Sequence, residues 1–304
     1  MRLLLRALAS ILLIGVFLVL ITGIGKALKG LWFGPGKSEQ VAVIDLAGII
    51  YSSSHFTREI NELLEDNSVK AIVVRINSPG GLVGPSQELF RSIEKADKKI
   101  PVVVSMGSLA ASGGYYAAIG GRKIFSNPGT LTASIGVIME FANTEKLYQW
   151  AKVDRYSLKA GKFKDTGSPL RAMTPEDRKL LEGMLQDIHG QFRKDVASKR
   201  KLSPEALATA TDGRVMTGSQ AKEIGLVDEL GGLDEAISEA KKIAKVSDTT
   251  YVSYPESKEG LLKKLILGDH DAKWDHVVSS LIEKIPSIDS SLPGFRLWLI
   301  APLR

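Results

Sequence analysis

Ala71-Ile72-Val73-Val74-Arg75-Ile76 runs without a break into Asn77-Ser78-Pro79-Gly80-Gly81. Five of the first six residues are apolar and four are β-branched, which marks a strand buried on both faces. The five that follow are turn formers and end it abruptly. Similar signals lie on either side. Val41–Leu46 is a short apolar strand, and Pro101–Ser105 (PVVVS) is another. Arg58–Glu65 and Gln87–Ala96, between them, have helical spacing. Ala110–Ile119 reads as a helix of small residues, and Lys123–Phe125 and Ser134–Ile138 as further strands. Short apolar strands alternating with helices predict an α/β fold, a mostly parallel sheet covered by helices.

The stretch Thr174–Arg200 predicts a long helix. Thr174 caps it, Pro175 suits its first turn, and Asp177 completes a capping box only loosely. Leu181, Met184, Leu185, Ile188, Phe192 and Val196 form one apolar stripe along it. Helices are also predicted around Ser203–Thr209 and Gly218–Ile224 and over Gly232–Lys245. Beyond Tyr251 the signal weakens to helices at Glu259–Leu267 and Trp274–Ile285 and an apolar Arg296–Ile300 after Pro293-Gly294. This tail has no functional reading.

At the other end, Ala7 to Gly25 contains no charged residue and is dominated by Leu, Ile and Val, with Arg2 and Arg6 before it. The run is long enough to cross a bilayer core as one helix, longer than the usual apolar region of a cleaved signal, and no A-x-A-like site follows it. It predicts an uncleaved transmembrane signal anchor. Lys26, Lys29 and Lys37 flank its far side, so the positive-inside rule is nearly balanced. The topology chosen is N-terminus in, with the bulk of the chain outside the cytoplasm. The expected organisation is a short segment 1–6, an anchor 7–25, a Gly- and Pro-containing linker 26–40, a main domain 41–250 and an appendix 251–304.

A net charge of +6 over 304 residues is mild and spread along the chain, with no basic run interleaved with aromatics. Nucleic-acid binding is therefore not expected; a solvated basic surface near anionic lipid is. Cysteine is absent, which removes disulfides, thiolate catalysis and zinc ribbons. No metal or cofactor is expected.

Two glycine-rich stretches at strand ends are candidates for chemistry. Gly80 and Gly81 let backbone N–H groups approach a ligand closely, as an oxyanion hole requires, although a tight turn explains them as well. Ser105-Met106-Gly107-Ser108-Leu109-Ala110-Ala111-Ser112-Gly113-Gly114-Tyr115-Tyr116 places Ser112 at a helix start with space beside it. Gly113 and Gly114 are poor helix formers, which hints at function rather than packing. A serine nucleophile needs a base. None of His55, His189, His270 and His276 lies at a strand end or beside a glycine-rich turn. A lysine can serve instead when burial lowers its pKa. Leu158–Asp165 offers Lys159, Lys162 and Lys164 after a strand, and the residues alone do not choose among them.

Together these stretches resemble the signal peptide peptidase A family in its short, membrane-anchored form, over roughly residues 41–250. The likeness rests on Asn77–Gly81, the block ending Ala110-Ala111-Ser112-Gly113-Gly114-Tyr115-Tyr116, Leu131–Val137, and Lys159-Ala160-Gly161-Lys162-Phe163-Lys164-Asp165 with Ser168-Pro169 behind it. Asp212–Val215 and Gly225–Asp228 add to it. The resemblance implies Ser112 as nucleophile, Lys164 as general base, Ser134 as the residue orienting that lysine, and oxyanion donors at Gly80 or Gly81 and at Gly113. It implies a caseinolytic protease/crotonase-like ββα spiral. It implies a serine endopeptidase of a bacterial inner membrane that degrades signal-peptide remnants and other short or unfolded apolar peptides. In double-length relatives the dyad residues come from different halves. For this chain that implies a homo-oligomer with Ser112 and Lys164 meeting across a subunit interface. A crotonase-type acyl-CoA enzyme and a catalytically silent, membrane-tethered binding module are the alternatives.

Overall fold

A computed structural model describes residues 38–254 and, as backbone only, the strand at 297–300. The predicted anchor and the tail helices lie outside these residues. No helix among the described residues is long and apolar enough to cross a membrane.

The elements follow in the order β1 (Gln40–Ala47), α1 (Ser54–Glu65), β2 (Val69–Ser78), β3 (Gly80–Leu82), α2 (Val83–Asp97), β4 (Val102–Ala111) and α3 (Gly113–Ala118). Then come β5 (Lys123–Ser126), β6 (Leu131–Ala133), β7 (Ile138–Met139), α4 (Glu145–Trp150), α5 (Pro175–Lys199), α6 (Pro204–Ala210) and β8 (Val215–Thr217). The series ends with α7 (Gly218–Glu223), β9 (Glu229–Leu230), α8 (Leu233–Ala244), β10 (Tyr251–Ser253) and β11 (Leu297–Ile300).

The main sheet runs β10-β1-β2-β4-β5-β9, all parallel, with β6 parallel to β4 and β8 antiparallel to β6. The apolar runs read from the sequence are its centre: Ile72 pairs with Val102 and Val74 with Val104. Both faces are covered, so these strands carry no polar alternation. On one face Ile44, Ile72, Val74 and Val104 pack with Ile60 of α1, Leu89 of α2, Tyr115 of α3 and Phe192 of α5. On the other, Val43, Val73 and Val103 pack with Ala236, Ile237 and Ala240 of α8.

Several expectations need correction. The strand expected to stop at Ser105 continues to Ala111, and the helix expected from Ala110 starts only at Gly113. Gly107–Ala111 carries small residues with weak strand propensity, but Leu109–Ala111 finds a partner in Leu131–Ala133, and that pairing decides the conformation. The strand expected over Ser134–Ile138 is absent. Ala133 and Ser134 both adopt left-handed φ (63° and 51°), which ends β6, and pairing resumes only at Ile138. No strand precedes the lysine-rich stretch, because residues 153–174 contain neither helix nor strand. On α5 the stripe is narrower than expected: Leu181, Phe192 and Val196 are buried, whereas Met184 is 40% exposed. The capping box is complete, with Thr174 Oγ1 accepting from the Asp177 N–H and the Asp177 carboxylate accepting from the Thr174 N–H.

A second, three-stranded sheet was not foreseen. β11 lies antiparallel between β3 and β7, with Leu299 opposite Gly81 and Trp298 opposite Ile138. Part of the tail read as a surface appendix thus sits against the Gly80-Gly81 turn.

Candidate active site

Ser112 is the hinge between β4 and α3. Its backbone is strained, with φ 52° and ψ −117°, a conformation that costs a non-glycine residue of order 1–3 kcal/mol. Neighbours hold it there. Its N–H donates to the Ala133 carbonyl at 2.7 Å, and its carbonyl accepts from the Tyr116 N–H at 2.8 Å. The residue is 1% exposed, and its Oγ has no hydrogen-bond partner. A buried hydroxyl without a partner calls for an explanation. A strained strand-to-helix elbow is a backbone geometry that can hold a serine as a nucleophile.

Three glycine backbones converge beside it. Gly80 has φ 99°, which only glycine adopts cheaply. A side chain on Gly113 would run into Ser86 Oγ and would lie 3.2 Å from both Gly80 Cα and Gly81 N. The Gly80 N–H already donates to Ser78 Oγ at 3.1 Å. Gly80 O and Leu82 N bond to Ile50, at 2.9 and 2.8 Å. By strand alternation the polar groups of Gly81 face the opposite edge, where β11 runs. Of the two glycines expected to bind an oxyanion, Gly80 has its N–H taken by Ser78, and the Gly81 N–H reaches a substrate carbonyl only where β11 leaves that edge.

Lys164 sits in a run of turns with its backbone N–H on the Gly161 carbonyl at 3.2 Å. It is exposed. Neither its amine nor the Ser112 hydroxyl has a hydrogen-bond partner among the described residues, so the structure does not join them within one chain. What fixes the lysine loop is a cluster the sequence reading missed. Arg171 bonds Asp165 at 2.9 Å and Asp177 at 2.6 Å, Lys159 bonds Asp165 at 2.5 Å, and Thr166 donates to Asp177 at 2.7 Å. The Arg171 guanidinium holds both carboxyls well below the usual carboxylate range, and they raise its own pKa in turn. The Asp177 side chain is only 3% exposed.

Carboxyls depressed on folding contribute stability above their unfolded pKa and lose it as pH falls below about 4. The melting temperature should therefore drop between about pH 5 and pH 2, and Arg171→Leu should melt lower at neutral pH with a shallower acid slope. Parallel melting-versus-pH curves for the two proteins would show that the cluster does not hold the loop.

Ser134, expected to orient the lysine, is nearly buried and donates its N–H to the Arg214 carbonyl at 2.8 Å. It lines a cleft of about 410 Å³ together with His189 of α5. His189 lies far from any glycine-rich turn in sequence, and no local signal reveals that α5 brings it to the cleft beside Ser134.

Residues 94–247 match the model for peptidase family S49. A protein of Synechocystis sp. named as a protease is 35% identical over 271 residues, which is 88% of this chain and 98% of that one. An Enterococcus faecium protein named as a signal peptide peptidase is 32% identical over 246 residues, 81% of this chain and 71% of its own. Among solved structures, a membrane-bound stomatin-specific protease aligns over 73% of this chain and 99% of that one, with 16% identity and a TM-score of 0.43.

Proposed function

Because the chain belongs to peptidase family S49, a family of serine peptidases, we propose that it is an endopeptidase acting through Ser112 and through Lys164 of a second copy. The observation that carries this reading is the position of β11. The slot between Gly80–Leu82 and Ile138–Met139 accepts an extended chain in antiparallel register, one strand away from the elbow. A peptide substrate that displaces β11 from that slot gains the same backbone hydrogen bonds whatever its sequence, which suits short or unfolded apolar peptides such as signal-peptide remnants. Its scissile carbonyl carbon is attacked by Ser112 Oγ while the hydroxyl proton passes to the neutral lysine amine. The N–H groups of Gly81 and Gly113 receive the oxyanion. The lysine then gives that proton to the leaving amine, and water releases the acyl group from Ser112 with the lysine again taking a proton.

Membership of a peptidase family removes the support for an acyl-CoA enzyme. The proposed assembly is a homo-oligomer, supported by the unpartnered amine of Lys164 and by the exposed apolar side chains that precede it: Trp150 is 81%, Tyr156 84% and Leu158 94% exposed. The proposed fold is the caseinolytic protease/crotonase spiral, with residues 41–250 as the peptidase domain. Residues 7–25 are proposed as a single-pass anchor in a bacterial inner membrane, with the domain outside the cytoplasm. Labelling of Lys residues in sealed cells by an impermeant reagent tests that orientation; protection of the whole domain would reverse it.

A fluorophosphonate probe tests the chemistry. It should label the full-length protein on Ser112, identified by peptide mass spectrometry, and failure to label would remove the nucleophile. Gly113→Ala places a methyl group against Gly80 and Gly81 and should lower kcat/KM by about 10²-fold, as loss of an oxyanion donor does. Activity within about threefold of wild type would move the oxyanion hole elsewhere.

A further inference from the structure

Lys164 is followed directly by an acid, Asp165. A carboxylate near an amine favours the charged form of that amine, and a base must be neutral to take a proton. In the structure this acid is saturated. Asp165 Oδ2 accepts from Arg171 Nε at 2.9 Å, and Oδ1 accepts from Arg171 Nη2 at 3.0 Å and from Lys159 Nζ at 2.5 Å. Asp177, the second acid of the cluster, accepts from Thr166 Oγ1 at 2.7 Å through one oxygen. Its other oxygen accepts from Arg171 Nη1 at 2.6 Å and from the N–H and hydroxyl of Thr174. One guanidinium thus ties the residue after Lys164 to the first turn of α5.

Two further contacts hold the same loop. The Pro169 carbonyl accepts from the Thr144 N–H at 2.7 Å and from its hydroxyl at 2.9 Å. Gly167, at φ 78°, lies so close to Phe141 that a Cβ there would come within 2.6 Å of the ring. Charged groups reach the loop from these neighbours as well. The stretch before α4 brings Glu140, α4 brings Glu145 and Lys146, and the first turns of α5 bring Glu176, Asp177, Arg178 and Lys179. Glu176 pairs with Lys162 of the loop at 2.7 Å, and Arg178 lies 3.8 Å from Glu182. Apart from Asp177, none of these groups is bonded to Arg171, so their effect on Lys164 is the same whether Arg171 is present or not.

We propose that Arg171 is a positioning residue for the base: its guanidinium sets the Lys164 loop in place and keeps the carboxylates of Asp165 and Asp177 off the Lys164 amine. The inference rests on Lys164 being the base. Removing the guanidinium takes away one like charge and releases two opposite ones, and both changes favour the protonated amine. The five donors of a guanidinium let it bind both oxygens of Asp165 and reach Asp177 as well. Arg171→Lys keeps the charge and loses that fork. Charge and placement are therefore separable by experiment.

The test is the pH dependence of kcat/KM for peptide hydrolysis by the full-length protein, whose acid limb reports the protonation of the base. In Arg171→Gln the limb should move up by about one pH unit, so that activity below it falls about tenfold beyond any loss on the alkaline plateau. Arg171→Lys should leave the limb in place and lower only the plateau kcat, since the charge stays and the placement loosens. Arg171→Gln/Asp165→Asn, which removes one charge of each sign, should bring the limb back toward wild type. Lys159→Gln frees Asp165 of one donor and leaves the fork, so it should move the limb the same way by less, and it decides the matter if Arg171→Gln does not fold. A limb that stays in place in these two single variants, with lower melting temperature and plateau, makes the cluster a scaffold and overturns the proposal. So does a limb displaced as far in Arg171→Lys, or one that stays displaced in the double variant, since charge is then not the cause. Hydrolysis that survives Lys164→Ala sinks the reading of the base instead, and is seen separately from the position of the limb.

Discussion

Ser112→Ala yields a folded protein with no measurable peptide hydrolysis. Removing the nucleophile of a serine peptidase lowers kcat by as much as about 10⁶-fold, and the remaining groups supply only positioning and the oxyanion site. The structure makes the companion expectation sharper than usual. Ser112 Oγ bonds to nothing, so its loss leaves no donor or acceptor stranded, and it removes a buried hydroxyl that was itself unsatisfied. The left-handed φ of 52° strains Ala as much as Ser, and the backbone bonds to Ala133 and Tyr116 remain. The melting temperature should therefore hold or rise while hydrolysis and fluorophosphonate labelling vanish together. Ser108→Ala, at an exposed position, should change neither. Ser105→Ala should lower stability instead, because the buried Ser105 hydroxyl accepts a bond from Arg75 at 2.8 Å, but it should leave most of the activity. Retention of more than about a tenth of wild-type hydrolysis in Ser112→Ala would show that another group attacks the substrate.

The parts of this architecture that were legible in the sequence are those where one local signal outweighs everything around it. The strands at Val41–Leu46 and Ala71–Ile76 are unbroken β-branched runs, and burial on both faces leaves such runs no competing pattern. Ser112 was visible because Gly113 and Gly114 break the helix rule beside it, and their side-chain hydrogens are needed where Ser86, Ser78 and Gly81 approach. The hidden parts depend on contacts between segments distant in sequence. The left-handed pair Ala133–Ser134 consists of ordinary residues forced into shape by bonds to Ser112 and Arg214. Arg171 reads as one arginine among many until Asp165 and Asp177 close on it. His189 looked remote because the fold-back of α5 against Tyr116 leaves no trace in its neighbours. The pairing of β11 with Gly80–Leu82 joins residues more than two hundred positions apart, which no periodicity can report.

Mixed oligomers of Ser112→Ala and Lys164→Ala copies should recover activity that neither variant has alone. Within one chain no hydrogen bond joins the two side chains: the Ser112 hydroxyl lies buried and unpartnered, while Lys164 is exposed on a loop pinned by Arg171. A general base must come within hydrogen-bond reach of the proton it takes, directly or through one water. The Lys164 loop therefore either moves within its chain or acts on a neighbour. The pinning argues against large movement, since Asp165, the next residue, is tied to both Arg171 and Lys159. The apolar side chains of Trp150, Tyr156 and Leu158, exposed on the segment leading into the loop, argue for a neighbour. In a ring or chain of copies each interface joins the serine of one copy to the lysine of the next. Equal random mixing then gives about a quarter of interfaces an intact serine facing an intact lysine, and activity should approach that fraction. The two variants should be co-expressed with different tags and purified through both, so that every oligomer is mixed, after each alone has been shown to fold and to lack activity. Tyr156→Glu in an otherwise wild-type chain should lower activity in step with dissociation, because a charge is buried at the contact. If verified mixed oligomers stay inactive, serine and lysine act within one chain, and the loop must swing inward on substrate binding. Activity surviving in Lys164→Ala alone would instead pass the base to another group, and His189, whose Nε2 is unpartnered, would be the first to test.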